Sequence, residues 1–207
     1  MKNKHIRKRL YSFLTPLLIL AAVNLLFCSK EPPSTGPLPP EILAWGSSPS
    51  RIQSLMTEKG WIEVSQTEGR TDYALKLSDD DEKFDPIMDE VVYPYKASFF
   101  FNQNRLSIAG FHRTGNSEEI AQFKKEFLAM YSAGSPEWES GISEKKAESG
   151  NHYTSSSEIY SGKDILIKIH NNVFTSSQNQ IQDEVIDCQI FSVKENEGIS
   201  VKGLAEL

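Results

Sequence analysis

Two segments of the chain repeat apolar residues at the three- and four-residue spacing of a helix. The first, residues 49–59, starts with Ser-Pro and ends at a glycine. The second, residues 116–133, opens with the Asn-x-x-Glu spacing of a capping box and ends at Gly-Ser-Pro. Its apolar face consists of Ile120, Phe123, Phe127, Met130 and Tyr131. The sequence therefore predicts two amphipathic helices that cover a core.

Alternating apolar and polar residues predict strands between and after these helices. The predicted strands are residues 61–67, 71–77, 95–101, 105–111, 152–160, 164–170 and 184–193. Asn102-Gln103-Asn104 predicts a hairpin turn after the third of them, and Asn171-Asn172 predicts a turn after the sixth.

The order of a helix followed by strands occurs twice, and the two asparagine-rich turns are offset by 69 residues. This regularity suggests an internal duplication. We predict an α+β fold over residues 42–195, with two related helix-plus-antiparallel-strand units of about 42–114 and 115–195. The units would form one sheet with helices packed on it, and residues 196–207 would form a C-terminal tail.

Over residues 43–193, this element order is similar to that of small lipoprotein modules. The resemblance is to the SmpA/OmlA outer-membrane assembly group and to β-lactamase-inhibitor-like proteins, and it rests on element order and on the glycines that end the helices. It implies a binding or scaffolding module rather than an enzyme. It places no functional residue in this chain.

The N-terminal segment carries the most specific signal in the sequence. A basic head is followed by an apolar stretch, residues 10–27, and then by Cys28. This arrangement resembles a bacterial lipoprotein export signal, and Leu25-Leu26-Phe27 before the cysteine looks like the relaxed lipobox of spirochaetal lipoproteins. The resemblance implies a signal peptide over residues 1–27 and lipidation of Cys28. An uncleaved membrane anchor and ordinary secretion with cleavage near Ala22 stay open as alternatives.

The composition after Cys28 agrees with a tethered domain. Residues 28–41 contain five prolines, which favour an extended polyproline chain. The whole chain has a net charge of −6, and loss of the five basic residues of the signal leaves 17 basic against 28 acidic residues, a net of −11. Such a surface argues against nucleic-acid binding and leaves the lipid as the membrane contact. We expect a cell-envelope protein of the outer membrane, with its periplasmic or surface orientation left open.

Candidate chemistry in the body of the chain is sparse. The carboxylates between Asp79 and Glu90 could hold calcium or form a solvated loop, and Phe84 occupies the position at which a calcium loop needs glycine. No histidine has metal-ligand spacing, and no nucleophile or nucleotide motif occurs, so we predict no metal, no cofactor and no enzyme activity. Cys188 lies on an apolar strand face, where a buried thiol is favoured over a reactive one.

Aromatic residues give the candidate binding surface. Phe99-Phe100-Phe101 places rings on both faces of one strand, which indicates either a second buried layer or a ligand-binding face. As the ligand or partner face we predict Tyr95, Phe100 and Phe111. The predicted function is a membrane-anchored binding or scaffolding module for a protein or an apolar ligand. The alternatives are an extracytoplasmic hydrolase with a spatially assembled site and a surface coat lipoprotein without a dedicated ligand.

Overall fold

Strands dominate the part of the chain that the computed structural model describes, which is residues 43–75, 83–85, 90–146, 152–175 and 181–207. The strands are β1 (Ile62–Thr67), β2 (Arg70–Ala74), β3 (Lys83–Asp85), β4 (Glu90–Val92), β5 (Tyr95–Asn102), β6 (Arg105–Gly115), β7 (Trp138–Glu139), β8 (Ser143–Lys146), β9 (His152–Gly162), β10 (Ile165–Thr175) and β11 (Ile181–Ser192). The helices are α1 (Pro49–Glu58), α2 (Ser117–Met130) and α3 (Val201–Ala205).

One antiparallel sheet contains nine of these strands. Its order is β1-β2-β5-β6-β11-β10-β9-β7, and β8 also pairs with β9. Strands β3 and β4 form a separate two-stranded hairpin. The last strands of the two halves of the chain, β6 and β11, pair with each other in the middle of the large sheet. This central pairing brings residues that are far apart in the sequence onto neighbouring strands.

The predicted α+β class is wrong, because the structure is a β-rich fold built on one large antiparallel sheet. One cause is the length of the strands, which the sequence pattern underestimates. The sequence predicts a turn at Asn171 and Asn172. Strand β10 instead continues through both residues to Thr175. Both asparagines are paired with residues of β9 and β11. Because the strand continues through both asparagines, the matched turn positions that suggested a duplication are not present.

The two predicted helices are confirmed, with ends that follow from local chemistry. The Asn116 side chain accepts hydrogen bonds from the backbone N–H groups of Glu118 and Glu119, and the Glu119 carboxylate accepts one from the Asn116 N–H. This capping box satisfies donors that the first helical turn leaves unpaired. Helix α1 begins at Pro49, where the missing N–H has no consequence.

The main core lies between the sheet and helices α1 and α2, on what we call the helix face of the sheet. Aromatic rings connect the layers, with centroids 5.7 Å apart for Tyr73 and Phe99, 6.5 Å for Phe99 and Phe111, and 6.0 Å for Phe111 and Phe127. Cys188 is fully buried in this core. This burial confirms the prediction of a buried cysteine. It also raises the pKa of the thiol well above the usual value.

A smaller apolar cluster lies on the opposite face. Helix α3 places Leu204, which is 1% exposed, against Ile159, Leu166 and Phe191. The Lys168 Nζ atom donates a 3.0 Å hydrogen bond to the Leu204 carbonyl oxygen. Helix α3 therefore covers one part of this face and adjoins the polar residues beside it.

Several sequence predictions concern residues outside the described part of the chain. These are the signal peptide over residues 1–27, Cys28 with its tether through residue 41, and the acidic residues 79–82 and Asp89. Among the helices that are described, none combines the length and apolar character needed to cross a membrane.

Candidate functional site

A row of five polar side chains crosses the sheet on the face opposite α1 and α2. Register places Ser157 of β9, His170 of β10, Asp187 of β11, His112 of β6 and Lys96 of β5 directly opposite one another in succession. Directly paired residues of antiparallel strands point to the same side of a sheet. We call these five residues the polar row, and the surface that carries them the polar face.

Within the polar row, Asp187 and His112 form one hydrogen-bonded pair. The Asp187 Oδ1 atom is 2.8 Å from the His112 Nδ1 atom. The Asp187 side chain is 40% exposed and the His112 side chain 28%, so the pair is partly open to solvent. The bond orients the imidazole with its Nδ1 atom toward the carboxylate.

Ser157 and His170 form a second pair in the same row. The Ser157 Oγ atom is 2.6 Å from the His170 Nδ1 atom, and both side chains are half-buried. A serine hydrolase needs one imidazole that connects the serine to a carboxylate. Here the serine and the carboxylate are bonded to different histidines. The polar row therefore lacks the Ser-His-Asp connectivity of a serine hydrolase.

A shallow pocket opens beside this row, next to the C-terminal segment. It has a volume of about 360 Å³ and is lined by Lys168, His170, Asp187, Gln189 and Leu207. Lys168 and Gln189 are directly paired across β10 and β11. They lie two residues along these strands from His170 and Asp187, on the same face. The pocket therefore combines a cation, an imidazole, an amide and a carboxylate on two adjacent strands.

The other half of the polar face has its own polar contacts. The Arg70 Nε atom is 2.8 Å from Asp72 Oδ1, and the Arg70 guanidinium lies 5.1 Å from the centre of the Phe100 ring. A second pocket of about 690 Å³ lies in this region, and its lining includes Arg70, Lys96 and Ser98. The Phe100 ring is thus half-buried under a cation.

The three aromatic residues predicted as a ligand face do not share one surface. Phe111 is 4% exposed in the core on the helix face. Tyr95 also lies on that face, with the Arg113 guanidinium 5.0 Å from its ring centre. Of the three, Phe100 alone lies on the polar face. It is directly paired with Ile108, which packs against the apolar cluster under helix α3 on that face. Alternation along β5 separates residues 95 and 100, and this signal was available from the sequence.

The polar row itself was not predicted. The histidine spacing indicates no metal site, and no sequence pattern singles out Ser157, His170 or Asp187. No local spacing could have linked them, since antiparallel register alone brings them together. Within the described ranges, no three His, Cys, Asp or Glu side chains lie close enough to hold a metal ion.

Comparison of this chain with protein-family models, with curated proteins and with solved structures gives no match.

Proposed function

We propose that this chain is a lipid-anchored cell-envelope protein that acts by binding a protein partner at its polar face. The observation that carries the proposal is the polar row, in which two histidines are oriented by Asp187 and Ser157. Side chains that are held by hydrogen bonds lose less freedom when a partner binds. The surface near Phe100 carries the Arg70 guanidinium, which favours a polar partner over an apolar ligand.

The anchor belongs to the proposal on sequence grounds. Cys28 follows the lipoprotein-type signal, and residues 28–41 would hold the domain away from the lipid surface. At about 3.1 Å per residue, a polyproline tether of this length spans roughly 40 Å. The proposed location is the outer membrane, attached through acyl chains on Cys28.

Replacement of Cys28 by serine tests the anchor. We expect the Cys28→Ser protein to leave the membrane fraction, because a serine cannot carry the thioether-linked lipid. Mass spectrometry of the wild-type N-terminus from native membranes should show a diacylglyceryl group on Cys28. An intact Met1 or an N-terminus near Ala22 would refute the anchor. Replacement of the buried second cysteine by an apolar residue, Cys188→Ala, serves as the control and should leave the protein in the membrane fraction.

A photo-crosslinking residue at position 189 tests the binding surface. Gln189 is exposed on the polar face, whereas Lys125 is exposed on helix α2. In intact cells we expect a discrete protein adduct from position 189 and no such adduct from position 125. Equal adducts from both positions, or an adduct from position 125 alone, would refute the polar face as the docking surface.

A further inference from the structure

We infer that the pocket beside the polar row binds an oxyanion, either a phosphate or a carboxylate group. This inference rests on the proposed function, since it assigns the chemical group that part of the polar face recognises. Its evidence is a set of hydrogen-bond donors, among them the Lys168 ammonium group, around the pocket lined by Lys168, His170, Asp187, Gln189 and Leu207.

Lys168 provides the charge. Its ammonium group has three N–H bonds, and one of them is directed at the Leu204 carbonyl oxygen at 3.0 Å. This contact holds the Nζ atom at the edge of the pocket while two donors remain for a ligand. Hydrogen bonds from an ammonium to an anionic oxygen are about twice as strong as neutral ones.

His170 and Gln189 add donors next to Lys168. His170 lies two residues further along β10, and Gln189 lies directly across on β11. The Nδ1 atom of His170 is engaged with Ser157, so Nε2 is the ring nitrogen that remains. When the Ser157 hydroxyl donates to Nδ1, the proton of the neutral ring lies on Nε2, which can then donate to an anion. The Gln189 side chain is exposed and contributes an amide N–H₂ group.

Asp187, the acidic side chain of this lining, is already engaged by a hydrogen bond. Asp187 is 2.8 Å from the Nδ1 atom of His112, on the far side of the row from His170. On the other half of the same face, the charge of Arg70 is balanced by Asp72. Lys168, by contrast, forms no ion pair with a carboxylate of the described residues, so its charge is available to an anionic ligand.

Titration of the full chain in detergent micelles with inorganic phosphate, and separately with acetate, tests the inference. Imidazole ¹H–¹⁵N spectra should show a saturable shift of His170 with at least one of the two anions. His152 lies on the helix face against Glu144 at 2.7 Å, and its signals should stay unchanged. An equal shift with sodium chloride at the same ionic strength, or no saturable shift with either anion, would overturn the inference.

Two lysine variants locate the site. We expect Lys168→Gln to weaken anion binding at least about tenfold, because it removes a charge-assisted hydrogen bond. Lys96→Gln removes the same charge from the same face but outside the pocket, and it should change affinity less than about threefold. Unchanged amide signals of helix α2 in the Lys168→Gln spectrum would show that the fold is kept. Equal losses in both variants, or no loss in Lys168→Gln, would refute this pocket as the site.

Failure of the oxyanion site and failure of the proposed function give different experimental results. Anion binding is measured on the purified chain, whereas crosslinking at position 189 is measured in cells. A crosslinked partner without anion binding would refute the oxyanion site alone. If excess phosphate suppresses the crosslink, the anion is an acidic group of the partner; if the crosslink persists beside measured phosphate binding, the anion is a separate small ligand.

Discussion

Replacement of Phe127 by alanine should lower the free energy of unfolding by about 3–5 kcal/mol, the range for truncation of a fully buried phenylalanine. Phe127 is 0% exposed and packs against three other rings. The ring centroids lie 6.0 Å away for Phe111, 6.1 Å for Phe123 and 5.0 Å for Tyr131. The cavity would open between α2 and the centre of the sheet, since Phe111 lies on β6. Urea unfolding of the full chain, followed by tryptophan fluorescence, measures the change.

Lys125→Ala provides the matched control for this experiment. Lys125 is exposed on the same helix, and its replacement should change the free energy of unfolding by no more than about 0.5 kcal/mol. A loss below about 1 kcal/mol for Phe127→Ala would contradict the packing of α2 on the sheet. A loss of the expected size would account for a large share of the 5–15 kcal/mol that is typical of a folded domain.

The helices could be predicted from the sequence because their signals are local. Asn116 and Glu119 are three residues apart, and the bonds that they form span only the first turn of α2. Pro49 likewise marks the start of α1 through its own backbone geometry. Interactions of this range need no knowledge of the rest of the fold.

The extent of the sheet could not be predicted in the same way. Asn171 and Asn172 have strong turn propensity, but each lies between two neighbouring strands in β10. Ladder pairing on both sides outweighs the local preference for a turn. The regular strand at these positions is one reason why the α+β prediction failed, since the predicted units depended on a turn there.

The polar row shows a different limit of sequence analysis. His112 and Asp187 are 75 residues apart, and their 2.8 Å contact depends on the register of β6 with β11. A shift of this register by one residue would move Asp187 to the helix face. The sequence showed the alternation of each strand but not which strands are neighbours, so it could separate Tyr95 from Phe100 but could not assemble the row.

Replacement of Leu204 by alanine should detach helix α3 from the polar face. Truncation of a buried leucine costs about 2–5 kcal/mol when the surroundings stay in place. Helix α3 has only five residues, and a helix this short is not stable without packing. The loss should therefore appear as local opening, with amide hydrogen exchange of residues 201–205 faster by about 30-fold or more. Hydrogen exchange measured by mass spectrometry would detect this change.

The sheet beneath α3 should keep its protection in the Leu204→Ala protein, since β10 is paired on both sides and also contributes to the main core on the helix face. Lys202→Ala is the control, because Lys202 is exposed on the same helix and its replacement should leave exchange unchanged. Equal loss of protection in α3 and β10 would contradict local opening and would make α3 part of the global folding unit. Local opening would instead free the Lys168 Nζ atom from the Leu204 carbonyl and enlarge the surface that the polar face offers to a partner.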